Sequence, residues 1–248
     1  GKDIDQWFAF IANIGACLSL TDHVITTNTY IAERVREFAD LPVSVIPNFM
    51  NLEQEDISTA LWEAPAASDS PGLRLGYFSG SHSHAKDFAV AEQGIIDFLS
   101  QSPSSTLTVL GHLELTPALN EMKRQIRRQP FMNFIELQSA VAEVDVALSP
   151  LQSSPFTFSK SELKFFESAA VGTLTLASPT PVFTAAIEHN VNGFLAGASQ
   201  WAQRLTEIEE LSPAQRKTIA GAAREVALAR YTGTAQVTFL EELFAPGK

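Results

Sequence analysis

The sequence predicts an α/β fold in which a parallel sheet is covered by helices on both faces. Beyond Gly72, short β-rich runs such as Thr106–Leu110 and Val144–Ser149 alternate with amphipathic stretches such as Asp87–Ser100. That rhythm builds a parallel sheet whose crossover helices shield it on either side. With 248 residues, 45% of them hydrophobic, the chain has enough material for a substantial core. In such a sheet, ligands meet the carboxyl ends of the strands. The loops after Phe78, Leu110, Leu137 and Ser149 are therefore where chemistry is sought.

The elements follow from periodicity and punctuation. A helix is predicted over Asp5–Ser19, a strand over His23–Thr26, a helix over Tyr30–Phe38 and a strand over Val43–Ile46, ending in a turn at Pro47 and Asn48. A short helix near Asn51–Leu61 precedes EAPAASDSPG, Glu63–Gly72, whose Ala, Pro and Ser content reads as a connecting loop. The main domain then runs strand Leu73–Phe78, helix Asp87–Ser100, strand Thr106–Leu110, helix Pro117–Arg128, strand Asn133–Leu137 and strand Val144–Ser149. Helix Ser159–Val171 and strand Thr173–Ala177 follow, and helices Gln200–Glu210, Ala214–Arg230 and Thr234–Phe244 close the chain.

The balance of 17 basic against 28 acidic residues gives a net charge of −11, which opposes nonspecific binding to nucleic acid or anionic lipid. Any phosphate site has to be locally built. Cys17 is the only cysteine, so the chain holds neither a disulfide framework nor a cysteine zinc site, and a reducing, cytoplasmic setting fits. WFAFIANIGACLSL, Trp7–Leu20, is too short for a comfortable membrane span and lacks the basic flank of a signal peptide. It reads as a helix buried against protein. The start at Gly1 without a methionine suggests an excised piece of something longer.

Among the loops, SGSHSHAKDF after Phe78 is a candidate phosphate cradle: Gly80 permits close backbone approach, Lys86 brings a positive charge and Asp87 caps the next helix. It is neither a dinucleotide fingerprint nor a Walker loop. His82 and His84 flank one residue, but no further ligands stand at metal-binding spacing, so His84 is read as a hydrogen-bond donor near a ligand or an ordering group of the loop. Pro150 closes strand Val144–Ser149, and QSSPFTFSK leads onward to the richest segment, FSKSELKFFESAAVGTLTLAS at Phe158–Ser178. Ser159 or Ser161 suits a helix start, and Gly172 the left-handed residue that ends it. At roughly 100° per residue, Lys160, Lys164 and Glu167 fall within about 60° of arc, apart from the apolar stripe of Leu163, Phe166 and Ala170. Two cations and a carboxylate beside a helix N-terminus suit a ligand with phosphates and a hydroxylated sugar. The competing reading is an exposed ion pair on ordinary helix surface.

Taken together and in order, these segments resemble the nucleotide-sugar-binding half of GT-B glycosyltransferases of the group 1 (family 4-like) class. VSVIPNFMN is similar to the family's interdomain hinge, GYFSGSHSHAKDF to its first strand and glycine loop, and VDVALSPL to the strand before the donor loop. SKSELKFFESAAVGTLTLAS is similar to its signature helix and strand, and IEHNVNGFLA to its closing element. The resemblance implies a Rossmann-like C-terminal GT-B domain plus a remnant of the N-terminal domain. Residues 1–50 would be the last elements of that N-terminal, acceptor-side domain and hinge, 51–72 a connecting helix and linker, 73–230 the nucleotide-sugar-binding domain, and 231–248 a C-terminal helix.

The resemblance further implies that Glu167 holds the nucleotide ribose, while Lys86, Lys164 and the helix start around Lys160 and Ser161 bind the diphosphate. Gly80 and Ser81 would let the loop approach the phosphates, with His84 and Pro150 beside them, and residues near Glu136–Gln138 would face the base. The donor substrate would be a nucleoside-diphosphate sugar, with no obligatory metal or other cofactor. A saccharide or lipid-linked acceptor and the missing N-terminal domain would be the partners, in a protein that is cytoplasmic or peripheral to the inner membrane face. No catalytic residue is nominated. The chain departs from the family at Ser159, which stands where the first glutamate of the E-x7-E motif would contact the donor sugar. That departure keeps a second reading open, a non-catalytic nucleotide-sugar-binding or interaction module. A nucleotide-sugar epimerase is disfavoured because no acid/base pair can be named.

Overall fold

The structure, a computed structural model, describes residues 2–64, 71–80 and 85–245. The chain divides into two compact units, Gly1–Asn48 with Ser159–Ser161, and Phe49–Phe158 with Glu162–Lys248.

In the first unit, helix α1 (Lys2–Leu18) is followed by strand β1 (Val24–Thr26), helix α2 (Thr29–Phe38) and strand β2 (Val43–Val45), the two strands pairing in parallel. Asn28 caps α2 by accepting from the Ile31 N–H at 2.8 Å, and its amide donates to the Lys160 carbonyl at 3.1 Å. The Asn48 amide donates to Ser161 Oγ at 3.0 Å. The helix expected in Trp7–Leu20 is present, but its burial is not: Trp7 and Phe8 are 65% and 68% exposed. Its large apolar residues, Ile4, Trp7, Phe8, Ile11 and Ile14 among them, gather on one side of the helix, and two short strands with one helix give no layer to enclose them. No helix among the described residues is long and apolar enough to cross a membrane.

The second unit begins with helix α3 (Leu52–Glu63), capped by Asn51, and strand β3 (Arg74–Ser79). Helix α4 (Ala85–Gln101), strand β4 (Thr106–Gly111), the short helix α5 (Pro117–Glu121), strand β5 (Ile126–Gln129), helix α6 (Phe134–Ala142) and strand β6 (Val146–Ser149) follow. Next come α7 (Pro155–Phe158), α8 (Leu163–Ala170), β7 (Leu174–Ala177), α9 (Pro181–Ala186), β8 (Phe194–Leu195), α10 (Trp201–Glu210), α11 (Pro213–Arg230) and α12 (Gly233–Leu243). The six strands from β3 onward form one parallel sheet in the order β5-β4-β3-β6-β7-β8. Counted within this sheet the order is 3-2-1-4-5-6, that of the Rossmann fold, and the direction of winding reverses between β3 and β6.

Both faces are covered. On one, Ile95 and Phe98 of α4 pack with Trp201 and Leu205 of α10, all fully or nearly fully buried. On the other, Phe165 and Phe166 of α8 pack with Ala223 and Tyr231, the Phe166 and Tyr231 rings stacking at 4.8 Å. At the entry to the sheet, Asp145 ties β3 to β6: it accepts from the Arg74 backbone N–H at 2.7 Å and from the Arg74 guanidinium at 2.7 and 3.1 Å. Asp145→Ala is expected to cost about 2 kcal/mol, because it strands a backbone donor and a half-buried guanidinium. Urea denaturation should show that loss as a lower midpoint at unchanged slope.

Three sequence expectations are corrected. The helix expected over Pro117–Arg128 stops at Glu121, and Ile126–Gln129 instead forms the edge strand β5, paired with Leu107–Leu110. Lys, Arg and Gln favour helices, but the free edge of β4 offers a ladder that outweighs that preference. Gln125 fixes the bend before β5 by donating its amide to the carbonyls of Leu99, Ser102 and Ser105. The strand expected over Asn133–Leu137 is the start of helix α6, where Asn133 and Glu136 form a reciprocal capping box. Finally, the helix expected over Ser159–Val171 is broken: α7 ends at Phe158, and α8 begins at Leu163 after Glu162, with neither Ser159 nor Ser161 as its cap. Its end is as expected. Gly172 adopts φ 83°, with Thr173 N–H to Ser168 carbonyl and Gly172 N–H to Ala169 carbonyl bonds closing a Schellman motif.

Candidate functional site

The reversal between β3 and β6 opens a crevice at the carboxyl edge of the sheet, and the loops bordering it carry Gly80 and Pro150. Gly80 is exposed, and a Cβ added there would meet no atom of the described residues within 4 Å. Lys86 is an exposed residue in the first turn of α4. Its neighbour Asp87 is buried and accepts from the Gln152 backbone N–H at 3.2 Å and side chain at 3.3 Å, which ties the start of α4 to the loop after β6. Pro150 itself is buried.

From the neighbouring helix α8, Lys164 lays its Nζ 5.0 Å from the ring centroid of Tyr77, a fully buried β3 residue that also packs on Phe88 at 4.7 Å. The contact holds the ammonium by its attraction to the ring face. One turn further on α8, Glu167 keeps an accessible edge while most of the atoms around its carboxyl are protein. Burial pushes its pKa up to about 7, against the opposing pull of the Gln54 amide and the Lys164 charge.

Glu167 is held by a network of amides. Gln54 Nε2 on α3 donates to Glu167 Oε1 at 3.4 Å and to Gln138 Oε1 at 3.3 Å. Gln138 Nε2 on α6 donates to the Glu167 carbonyl at 2.8 Å and to Ser58 Oγ at 2.9 Å. Gln54, Ser58 and Gln138 are all buried. Beyond α6, Gln129, Phe131, Met132, Glu136, Ser139 and Glu143 are among the residues lining an open cavity of about 430 Å³.

Of the residues expected from sequence, Lys164 and Glu167 share a face of α8, and Gly80, Lys86 and Pro150 border the switch point. Lys160 does not lie on the helical stripe with Lys164; it belongs with Ser161 to the first unit, where Asn28 and Asn48 engage them. Ser81 and His84, like His82, lie outside the described residues. Glu136 faces the cavity, whereas Gln138 points the other way and anchors Glu167. Gln54, Ser58 and Tyr77 were not foreseen, and Gln138 was expected to face the base and not to brace Glu167. These four stand on three separate segments, α3, α6 and β3, and nothing in the linear sequence marks amides so far apart as neighbours.

An open parallel sheet in Rossmann order, with Lys164 over a strand of its switch point and the half-buried carboxylate of Glu167 one turn further on, defines the class of doubly wound α/β folds. Residues 74–211 match the family described as "Glycosyl transferases group 1", and the chain belongs to that family. Its fold is that of the C-terminal GT-B domain. No curated protein matches the chain in sequence. Among solved structures, Anabaena HepE in complex with UDP and glucose is similar at 18% identity and TM-score 0.68, over 91% of this chain and 63% of that one. An S. aureus TarM mutant in complex with fondaparinux, α-GlcNAc-glycerol and UDP is similar at 14% identity and TM-score 0.71, over 94% and 46%. Sucrose-phosphate synthase from Thermosynechococcus elongatus is similar at 18% identity and TM-score 0.68, over 93% and 59%. The chain thus spans about half to under two thirds of the length of these proteins.

Proposed function

We propose that the chain is the donor-binding part of a retaining glycosyltransferase that moves a hexosyl or related sugar from a nucleoside-diphosphate sugar to a polysaccharide or glycolipid-type acceptor, as in cell-envelope synthesis. The observation that carries this reading is the pairing of Lys164 and Glu167 on one face of α8, backed by the switch-point loops of a group 1 family member. Glu167 accepts from ribose hydroxyls, and Lys164 and Lys86 neutralise the diphosphate, with the N–H groups at the start of α4 beside them. When the sugar leaves, charge grows on the departing diphosphate, and fixed cations stabilise it without requiring a metal. The acceptor is held by the N-terminal part of the protein, of which residues 1–50 are the last elements. Residues 51–72 connect it to the donor domain at 73–230, and 231–248 form the C-terminal helix. This chain alone binds the donor without turning it over.

Ser159, in the position of the family's first glutamate, favours one alternative, a binding module that keeps the donor site and has no transfer activity. A thermal-shift panel with UDP, GDP and TDP tests the common core of both readings. One of them is expected to raise the melting temperature, since ligand at about 100 times its dissociation constant adds roughly 2.7 kcal/mol. Silence across the panel would remove the donor site from the proposal. Donor hydrolysis or transfer by the protein carrying its N-terminal part then separates enzyme from module.

A further inference from the structure

We infer that Gln54 is the positioning residue of the ribose site: from the connecting helix α3 it aims the Glu167 carboxylate, with Gln138 as its brace. This rests on the reading of Glu167 as the ribose acceptor. Three observations carry it. Gln54 is 7% exposed although it stands on a surface helix, so its amide is committed to the interior. Its Nε2 spends one hydrogen on Glu167 Oε1 and the other on Gln138 Oε1, which fixes the plane of the amide. Gln138 in turn, wholly buried, uses both of its own amide hydrogens, one on Ser58 Oγ of α3 and one on the Glu167 main-chain carbonyl. The carboxylate and the backbone beneath it are therefore gripped by one pair of amides linking α3, α6 and α8.

At 3.4 Å the bond from Gln54 to Glu167 is long, so it steers the carboxylate more than it stabilises it. A buried carboxylate without this donor would turn toward whatever neutralises it best, and Lys164 stands on the same helical face. Gln54 keeps one oxygen occupied and the group aligned, leaving its accessible edge for a diol. A ribose then meets a preorganised acceptor, which lowers the ordering cost of binding. A purely packing role would require only the volume of the side chain. The geometry uses the amide instead.

The test compares UDP with 2′,3′-dideoxy-UDP by calorimetric titration on the wild-type chain, Gln54→Leu, Glu167→Ala and the double variant. Wild type is expected to prefer the ribonucleotide by about tenfold or more, the scale of hydrogen bonds to an ionised acceptor. Glu167→Ala abolishes that preference. Gln54→Leu, which keeps the volume, reduces it about threefold or more, leaves dideoxy-UDP affinity unchanged, and has no further effect in the Glu167→Ala background. Should Gln54→Leu fold poorly, Gln54→Met serves in its place, with dideoxy-UDP binding as the check on folding. If Glu167→Ala loses the preference and the Gln54 variant retains it, the positioning role is wrong while the ribose acceptor stands. Equal losses for both nucleotides in the Gln54 variant also overturn the role, since they signal a general structural effect. Where the thermal-shift panel selects GDP or TDP in place of UDP, the same four proteins are titrated with that nucleotide and its dideoxy form; a preference that survives Glu167→Ala, or no binding of any of the three nucleotides, overturns the underlying reading and the inference with it.

Discussion

Glu167→Ala is expected to weaken UDP binding about ten- to a hundredfold, the range for lost hydrogen bonds to a charged acceptor, while leaving stability above neutral pH equal or higher. The two effects have one cause. In the folded chain the Glu167 pKa, raised from 4.5 to about 7, exceeds its unfolded value, so the native state holds this proton more tightly. Stability from this group therefore falls as pH climbs from about 4.5 to about 7, and its full cost, up to about 3 kcal/mol, is reached above that window. Glu167→Gln removes the titration and should flatten this part of the stability profile, gaining over wild type at about pH 8. Binding runs the other way, because the ionised carboxylate is the better acceptor, so wild-type affinity for UDP should rise as pH passes through about 7. Lys164→Ala is expected to lose about tenfold in affinity through the missing charge and to move that rise to higher pH, since Lys164 is one of the two influences holding the Glu167 pKa down. Binding that is flat with pH in wild type would refute the coupling.

How much of this was legible in sequence depended on whether local pattern or tertiary pairing decided the outcome. The sheet and its helices were legible because β-rich runs and apolar stripes are local signals, and Gly172 because only a left-handed residue ends a helix in that way. Lys164 and Glu167 were legible as a pair because three residues along a helix share a face. Lys160 was not, because extending the same periodicity backward assumed an unbroken helix where the chain breaks before Leu163. Asn133 and Glu136 carried a readable capping box that the β-like composition of the segment obscured. The basic run at Lys123–Arg128 hid β5, because an edge strand gains its stability from its neighbour and not from its own residues. Gln54 and Gln138, 84 residues apart, meet only after α3 and α6 have packed on α8, and no linear pattern anticipates that.

Gly111→Ala and Gly80→Ala form a pair that should separate the scaffold of the switch point from its binding surface. Gly111 ends β4 at φ 85°, and a Cβ there would collide with the Ser79 carbonyl oxygen, the last residue of β3. The left-handed backbone and the clash add, and because the obstacle is main chain in a paired strand, no side-chain rotation relieves it. The cost is expected to be about 3–5 kcal/mol, a fall of roughly 10 °C in melting temperature for a chain of this size. Ser79 also holds the end of β4 through its hydroxyl bond to the His112 carbonyl at 2.7 Å, so prying these strand ends apart should disturb the loop that begins at Gly80. A Cβ on Gly80 meets no atom of the described residues within 4 Å, so Gly80→Ala should leave stability within about 0.5 kcal/mol of wild type. If the phosphates of the donor lie against this backbone, that methyl occupies their place, and UDP affinity should drop about tenfold with the fold intact. Undiminished UDP binding by Gly80→Ala would move the diphosphate away from the β3 loop and leave Lys164 as its principal anchor.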